Sequence, residues 1–231
     1  MIQKVYPLTN GYEMAGNGGF SLTTIGDTFF WIRSNDIALG SNINSAGAFI
    51  YINDDGNVGV FTSTAVAYAD YYTQATALAD LDDGGDLELI VGKANGGGIT
   101  EIFQNDGAGN FSALSQVNLP GHVYTIDIGD INGDGFVDLL FGTFSARDVV
   151  LINDGAGNFT DNGLQLKALV TQQARLGDLD IAAAGKFDSN NDSRYVWNNN
   201  GNGQFVDSGG MIEADEDGQS EGVGLADFDG D

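Results

Sequence analysis

Residues 130–138 read Asp-Ile-Asn-Gly-Asp-Gly-Phe-Val-Asp, with oxygen-bearing side chains at the first, third, fifth and ninth positions: Asp130, Asn132, Asp134 and Asp138. Gly133 and Gly135 let the backbone fold tightly enough to turn alternate side chains inward. The carbonyl of Phe136 stands at the seventh position. Hard oxygen donors in a flexible loop suit Ca²⁺, which takes 6–8 of them, better than Mg²⁺, which demands a near-ideal octahedron. Carboxylates crowded into so short a loop also repel one another unless a cation sits between them. The loop therefore predicts a Ca²⁺ site with ligands from Asp130, Asn132, Asp134, Phe136 and Asp138.

The same spacing recurs in weaker form. Residues 80–88 (Asp-Leu-Asp-Asp-Gly-Gly-Asp-Leu-Glu) keep acids at positions 1, 3, 7 and 9, namely Asp80, Asp82, Asp86 and Glu88. Gly84 takes the fifth position there, and Asp83 or Asp86 is the available substitute. A further copy, Asp227-Phe-Asp229-Gly-Asp231, ends before its ninth position. Residues 27–36 retain only the end acids, and around Asp178-Leu-Asp180 the loop is missing. Asp188–Asp192 alternates oxygens but lacks the glycine and has Val196 at position 9, so it reads as a solvated turn. The first six positions of 130–138 also fit an EF-hand, but the twelfth, where a bidentate Glu is required, is Phe141.

The segments that carry these loops are short, rich in β-branched and aromatic residues, and bounded by Gly, Asn or Asp, as strands are. Examples are Phe49–Ile52, Leu89–Val91 and Val149–Ile152. No sustained helical periodicity appears, and Ala75–Ala79 and Leu164–Ala174 come nearest to it. A hairpin signature repeats: Asn105-Asp-Gly-Ala-Gly-Asn-Phe111 and Asn153-Asp-Gly-Ala-Gly-Asn-Phe159, with looser copies at Asn53–Phe61, Asn199–Phe205 and Ala15–Phe20. Its phenylalanines stand 41, 50, 48 and 46 residues apart. Between hairpins, Asp27, Asp80, Asp130, Asp178 and Asp227 recur at steps of 53, 50, 48 and 49. An acid, an apolar run and a glycine follow at Asp36–Gly40, Glu88–Gly92, Asp138–Gly142 and, one residue longer, Asp180–Gly185. A repeat of about 50 residues with several short strands is the size of a propeller blade. A β-helix has shorter rungs, and a β-sandwich does not repeat itself. The expected fold is thus all-β, a β-propeller of four-stranded antiparallel blades.

The alternation of D-x-[DN]-G-D-G-x-x-D with N-D-G-x-G-x-F resembles FG-GAP/VCBS repeats, from about Ala15 to Asp231 and most closely in the third and fourth repeats. The resemblance implies a β-propeller of the kind found in integrin α-subunits, lectins and large secreted bacterial proteins, with loops that hold Ca²⁺. It carries ligand roles to Asp130, Asn132, Asp134 and Asp138, and to Asp80, Asp82, Asp86 and Glu88. The chain reads as one such domain, with repeats at roughly 1–27 (partial), 28–80, 81–130, 131–178 and 179–231. Two arrangements stand: a segment of a larger, seven-bladed propeller, favoured because Asp231 falls inside a ligand loop, or a compact five-bladed ring closed by its termini.

Composition narrows the function. The 231 residues carry 33 Asp+Glu against 8 Lys+Arg, a formal charge of −25, which disfavours nucleic acid and anionic membranes as partners. Of the acids, 27 are Asp and 6 are Glu, the bias of turns and oxygen-ligand loops rather than helix surfaces. No apolar run approaches the roughly 18 residues that span a bilayer, no export signal is visible in residues 1–20, and without cysteine there is no disulfide or thiolate site. The single histidine, His122, reads as a loop or strand-edge residue, and Ser112 and Ser115 lie in an undistinguished turn. Carboxylate pairs are too numerous to single out a glycosidase pair. Phe29–Trp31, the Tyr68/Tyr71/Tyr72 cluster and Tyr195 with Trp197 are candidate sugar platforms, though such side chains also pack between blades. The expected function is a non-catalytic, Ca²⁺-binding module for adhesion, taking a glycan or an extracellular protein at the cell surface. The alternatives are a structural spacer in a large surface protein and a polysaccharide-acting hydrolase or lyase.

Overall fold

In the computed structural model the described residues are 22–25, 36–40, 48–53, 61–66, 73–93, 99–144, 146–164, 170–176, 180–186 and 193–211. Every regular element among them is a strand. Ala75–Ala79, the stretch nearest to helical spacing, lies in a strand whose alternate faces are both buried.

The strands form four antiparallel four-stranded sheets, each in sequence order. The first contains β1 (Leu22–Ile25), β2 (Asp36–Gly40), β3 (Ala48–Asn53) and β4 (Phe61–Val66). The second contains β5 (Thr73–Ala79), β6 (Glu88–Lys93), β7 (Ile99–Asn105) and β8 (Phe111–Asn118). The third contains β9 (His122–Gly129), β10 (Asp138–Phe144), β11 (Val149–Asn153) and β12 (Phe159–Asp161). The fourth contains β13 (Val170–Leu176), β14 (Asp180–Lys186), β15 (Ser193–Asn199) and β16 (Phe205–Met211). The repeated hairpins join the third strand to the fourth, and each acid–apolar–glycine run is a second strand. The acidic loops join the first strand to the second, so repeats cut at those loops divide each sheet between its first two strands.

Successive sheets meet through their first and second strands, β5 and β6 against β9, and β9 and β10 against β13. Strands covered on both faces read as continuous apolar runs: β6 is buried throughout, and so is β10 up to Phe144. The fourth strands form the open edge, and β8 is largely exposed. Two cores result. Ile90, Ile102 and Ala77 of the second sheet pack on Leu139, Phe141 and Leu151 of the third. Leu140 and Val150 of the third pack on Ala174 and Trp197 of the fourth.

A glycine near the end of the second strand sets how closely its neighbours approach. A Cβ at Gly92 would stand 2.6 Å from Val123 Cγ1 of the next sheet, and one at Gly142 would stand 2.8 Å from Thr171 Cγ2 of the next sheet and 2.4 Å from Thr125 Cγ2 on the paired strand of its own. The strand pairing shifts by one residue beside each of these glycines, leaving Gln74, Tyr124 and Gln172 as extra residues of β5, β9 and β13. Such a bulge bends and twists the strand locally.

Candidate metal centre

The two acidic loops, 80–88 and 130–138, are built on one plan. Their first acid turns inward because glycine-rich backbone wraps it. Gly84 N–H donates to Asp80 Oδ1 and Gly85 N–H to Asp80 Oδ2, each at 3.0 Å. Gly133 N–H and Asp134 N–H donate to Asp130 Oδ1 at 2.8 and 3.2 Å, and Gly135 N–H to Asp130 Oδ2 at 2.9 Å. Gly85 and Gly135 sit at φ +90° and +92°, in the left-handed region where a Cβ is disfavoured.

The ninth acid is the first residue of the second strand and is buried: Glu88 on β6 and Asp138 on β10. Asp138 Oδ2 accepts from Ile131 N–H at 2.9 Å, inside the loop, and Oδ1 accepts from Asn153 N–H at 2.8 Å, at the start of the hairpin. Glu88 likewise accepts from Leu81 N–H at 2.9 Å and from the Asn105 backbone. Burial pushes both carboxyls above their ordinary range. The backbone N–H donors counter that shift, and the neighbouring acids add to it, Asp82 and Asp80 for Glu88, Asp134 and Asp130 for Asp138.

The loops differ in how far their acids converge. One oxygen each from Asp80, Asp82 and Glu88 lie within 4.8 Å of one another, an arrangement that Asp130, Asp134 and Asp138 do not reach. The counterpart of Asp82 in 130–138 is the amide Asn132, so the acids of that loop are spread over its first, fifth and ninth positions. In 130–138 the third residue is an amide, and it closes on the fifth: Asn132 Nδ2 donates to Asp134 Oδ2 at 2.8 Å while Asn132 Oδ1 accepts from Asp134 N–H at 3.0 Å. In 80–88 the third residue is the carboxylate Asp82, which accepts from Gly84 N–H at 3.0 Å, and Gly84 has no side chain to engage it further. Asp86 lies outside the trio and faces its own hairpin, where a Cβ on Gly107 would stand 3.5 Å from Asp86 Oδ1. Phe136 donates its N–H to Asp134 Oδ1 at 2.9 Å, and its ring lies under Gly155. Asp227, Asp229 and Asp231 lie outside the described residues, as do Asp27 and Asp178. Three all-oxygen acids, two of them half-exposed, form a donor set that fits a hard cation such as Ca²⁺.

The hairpins reach beyond their own sheet. Asn153 Nδ2 donates to Val137 O of its own sheet at 3.1 Å and to Leu81 O of the preceding sheet's loop at 2.8 Å. Asn199 Nδ2 donates to Ile131 O of the preceding loop at 2.6 Å. The fixed asparagine that opens every hairpin was visible as a turn residue, but its contact across sheets was not. Further polar groups are buried, one set between two sheets and one within a sheet. Asp148 Oδ1 accepts from Thr143 N–H at 2.8 Å, and Oδ2 from the hydroxyl of Thr171 on β13 at 2.7 Å. Lys93 Nζ lies 2.8 Å from Glu101 Oε1, which also accepts from Gln116 Nε2 at 2.8 Å.

Ser112 and Ser115 lie on β8, the outer strand of one sheet, whereas His122 starts β9, the inner strand of the next. The imidazole of His122 stacks on Phe144 with ring centroids 6.2 Å apart. Of the candidate sugar platforms, Trp197 is buried in the core between the third and fourth sheets; Phe29–Trp31 and Tyr68, Tyr71 and Tyr72 lie outside the described residues.

Comparison with known proteins agrees with this architecture. Residues 80–141, which run from the first acidic loop into β10, match the FG-GAP-like repeat family. No curated protein matches the chain.

Proposed function

We propose that this FG-GAP-like chain is a calcium-binding module of β-propeller type that presents a ligand-binding surface and carries out no catalysis itself. The observation that supports the metal is the convergence of Asp80, Asp82 and Glu88 within 4.8 Å. Three acids so close carry a mutual repulsion that a divalent cation removes. When bound, the ion supplies charge neutralisation and a tie between loop and sheet. The chain's own residues do the rest: Gly84 and Gly85 orient Asp80, and Leu81 N–H holds Glu88 at the head of β6. The loop 130–138 is the second candidate, with Asp130, Asn132, Asp134, Asp138 and the Phe136 carbonyl as donors.

The four sheets are read as propeller blades because their first strands pack in succession while the fourth strands lie outermost. Blade number and ring closure belong to this proposal. An extracellular or cell-surface setting follows from the metal reading, since millimolar calcium fills weak oxygen loops. The surface then offered to a glycan or a protein is the one the family resemblance suggests.

Calorimetric titration of the full chain with CaCl₂, paired with melting in CaCl₂ and in chelator, tests the metal. Heat of binding and a rise in melting temperature are expected, both reduced in Asp82→Asn and Glu88→Gln. Ligand at 100 times Kd stabilises by about 2.7 kcal/mol. Identical melting in calcium and chelator, without binding heat, overturns the reading. A glycan array probed with and without chelator separates the binding module from a structural spacer.

A further inference from the structure

Four Asn-Gly pairs fall among the described residues: Asn132-Gly133, Asn162-Gly163, Asn200-Gly201 and Asn202-Gly203. Such a pair is self-reactive. The glycine backbone nitrogen attacks the asparagine Cγ, the N–Cγ bond forms, and the Cγ–Nδ2 bond breaks. Nδ2 leaves as ammonia and carries off the proton of the glycine amide, relayed by solvent. Water then opens the succinimide ring to aspartate or isoaspartate and is the only co-reactant. Glycine favours the attack because no Cβ blocks the approach. A folded chain prevents it by holding the asparagine amide, the glycine N–H, or both.

Three of the four pairs are held at both points. Asn132 is engaged with Asp134 through both side-chain atoms, and Gly133 N–H donates to Asp130 Oδ1 at 2.8 Å. Asn162 Oδ1 accepts from Leu164 N–H at 2.9 Å, and Gly163 N–H donates to Asp161 Oδ1 at 2.9 Å. Asn200 accepts from Asn202 N–H and donates to Gln204 Oε1 at 3.1 Å, while Gly201 N–H donates to Asn199 Oδ1 at 3.1 Å. Asn202 differs. It is exposed at the hairpin tip between β15 and β16, and among the described residues neither its side-chain amide nor the N–H of Gly203 has a hydrogen-bond partner.

We propose that Asn202 is a site of spontaneous deamidation, and that the fold protects Asn132, Asn162 and Asn200 from the same reaction. The consequence falls on a candidate metal loop. Gly203 packs against the preceding sheet, where a Cβ on it would stand 3.5 Å from Asn132 Cβ. The new carboxylate thus arises one residue before the glycine that packs on the loop holding Asp130, Asp134 and Asp138, and an isoaspartate also lengthens the backbone of the hairpin that contacts it.

The test is ageing of the full chain in mildly alkaline buffer, followed by peptide mapping with tandem mass spectrometry that separates asparagine, aspartate and isoaspartate. Conversion at Asn202 several-fold ahead of the other three is expected, with loss of that signal in Asn202→Gln and no change at the others. In denaturant the ratio among the four should fall towards one. The proposal is overturned if Asn202 stays an amide, if Asn132, Asn162 or Asn200 converts as fast in the native chain, or if the selectivity survives denaturation.

Discussion

Asn153 Nδ2 donates to the carbonyl of Leu81, 72 residues earlier, at 2.8 Å, so the hairpin of one sheet is fastened to the acidic loop of the sheet before it. The bond is one link in a continuous series. Leu81 N–H donates to Glu88, Asn153 N–H to Asp138, Ile131 N–H to Asp138, and Asn199 Nδ2 to the Ile131 carbonyl. Loops of adjacent sheets are therefore joined through asparagines and ninth-position acids, with no need for contact between the loops themselves.

Truncating Asn153 should cost more than truncating its counterpart Asn105. Asn153 is buried at 1% exposure, and Asn153→Ala orphans the buried Leu81 carbonyl and the part-buried Val137 carbonyl, which costs about 2–3 kcal/mol. Asn105 Nδ2 reaches only Leu87 O of its own sheet, at 3.3 Å, so Asn105→Ala should cost about 1 kcal/mol or less. Urea unfolding of both variants measures the difference, and equal midpoints would refute the cross-sheet role.

Asp148 makes stability fall with rising pH across the neutral range. Burial raises its carboxyl from the ordinary 3.8 to about 7, against the opposing pull of Thr143 N–H and the Thr171 hydroxyl. Because the native pKa lies above the unfolded one, the native state holds the proton longer. The resulting stabilisation is complete below about 3.8 and is lost as pH rises through about 7. Melting between pH 5 and 8, above the titration of ordinary carboxylates, should show this slope in the parent chain and a shallower one in Asp148→Asn, with Glu88 and Asp138, also raised by burial, supplying the remainder.

Gly142→Ala tests how closely β9 of the same sheet and β13 of the next approach this glycine. The added methyl would stand 2.4 Å from Thr125 Cγ2 and 2.8 Å from Thr171 Cγ2, an overpacking that costs about 1–3 kcal/mol. Thr125→Ser with Thr171→Ser removes both opposing methyls and keeps the hydroxyl that Asp148 accepts from. Adding that pair to Gly142→Ala should recover part of the loss, as read by thermal unfolding. A tolerated Gly142→Ala would mean that neither Thr125 nor Thr171 closes on this glycine as described.

Calcium should fill the 80–88 loop before the 130–138 loop. Asp80, Asp82 and Glu88 already converge, whereas Asp134 is engaged by Asn132. In titrations of the full chain, Asp82→Asn should abolish the tighter event and Asp134→Asn the weaker. The reverse assignment would show that the match to the loop pattern, not convergence, sets affinity.

The buried pair of Lys93 and Glu101 provides a further check on packing between strands. Lys93→Met leaves Glu101 buried without its cation and should cost about 3–5 kcal/mol, whereas Lys93→Met with Glu101→Leu should cost much less. Chemical denaturation of the single and double variants decides between a paired charge and an incidental contact.

Much of this molecule was legible in the sequence because its determinants are local. Asn, Asp and Gly at fixed offsets force tight turns whatever lies beyond them, so the hairpins opened by Asn53, Asn105, Asn153 and Asn199 appear where the repeat predicts. Second strands covered on both faces must be apolar throughout, so Leu89–Val91 and Leu139–Phe141 announced themselves. Two things were decided only by the tertiary structure. Gly92 and Gly142 occupy ordinary strand positions, and their need to lack a Cβ arises in part from Val123 and Thr171 on the next sheet. Asp80, Asp82, Asp86 and Glu88 were named from the pattern, but that the first, second and last of them gather while Asp86 stands apart was decided by folding, because a linear pattern records which oxygens are present and not where each one points. Turn chemistry acts over a few residues and can be read along the chain, while close approach and charge convergence depend on atoms that only folding brings together.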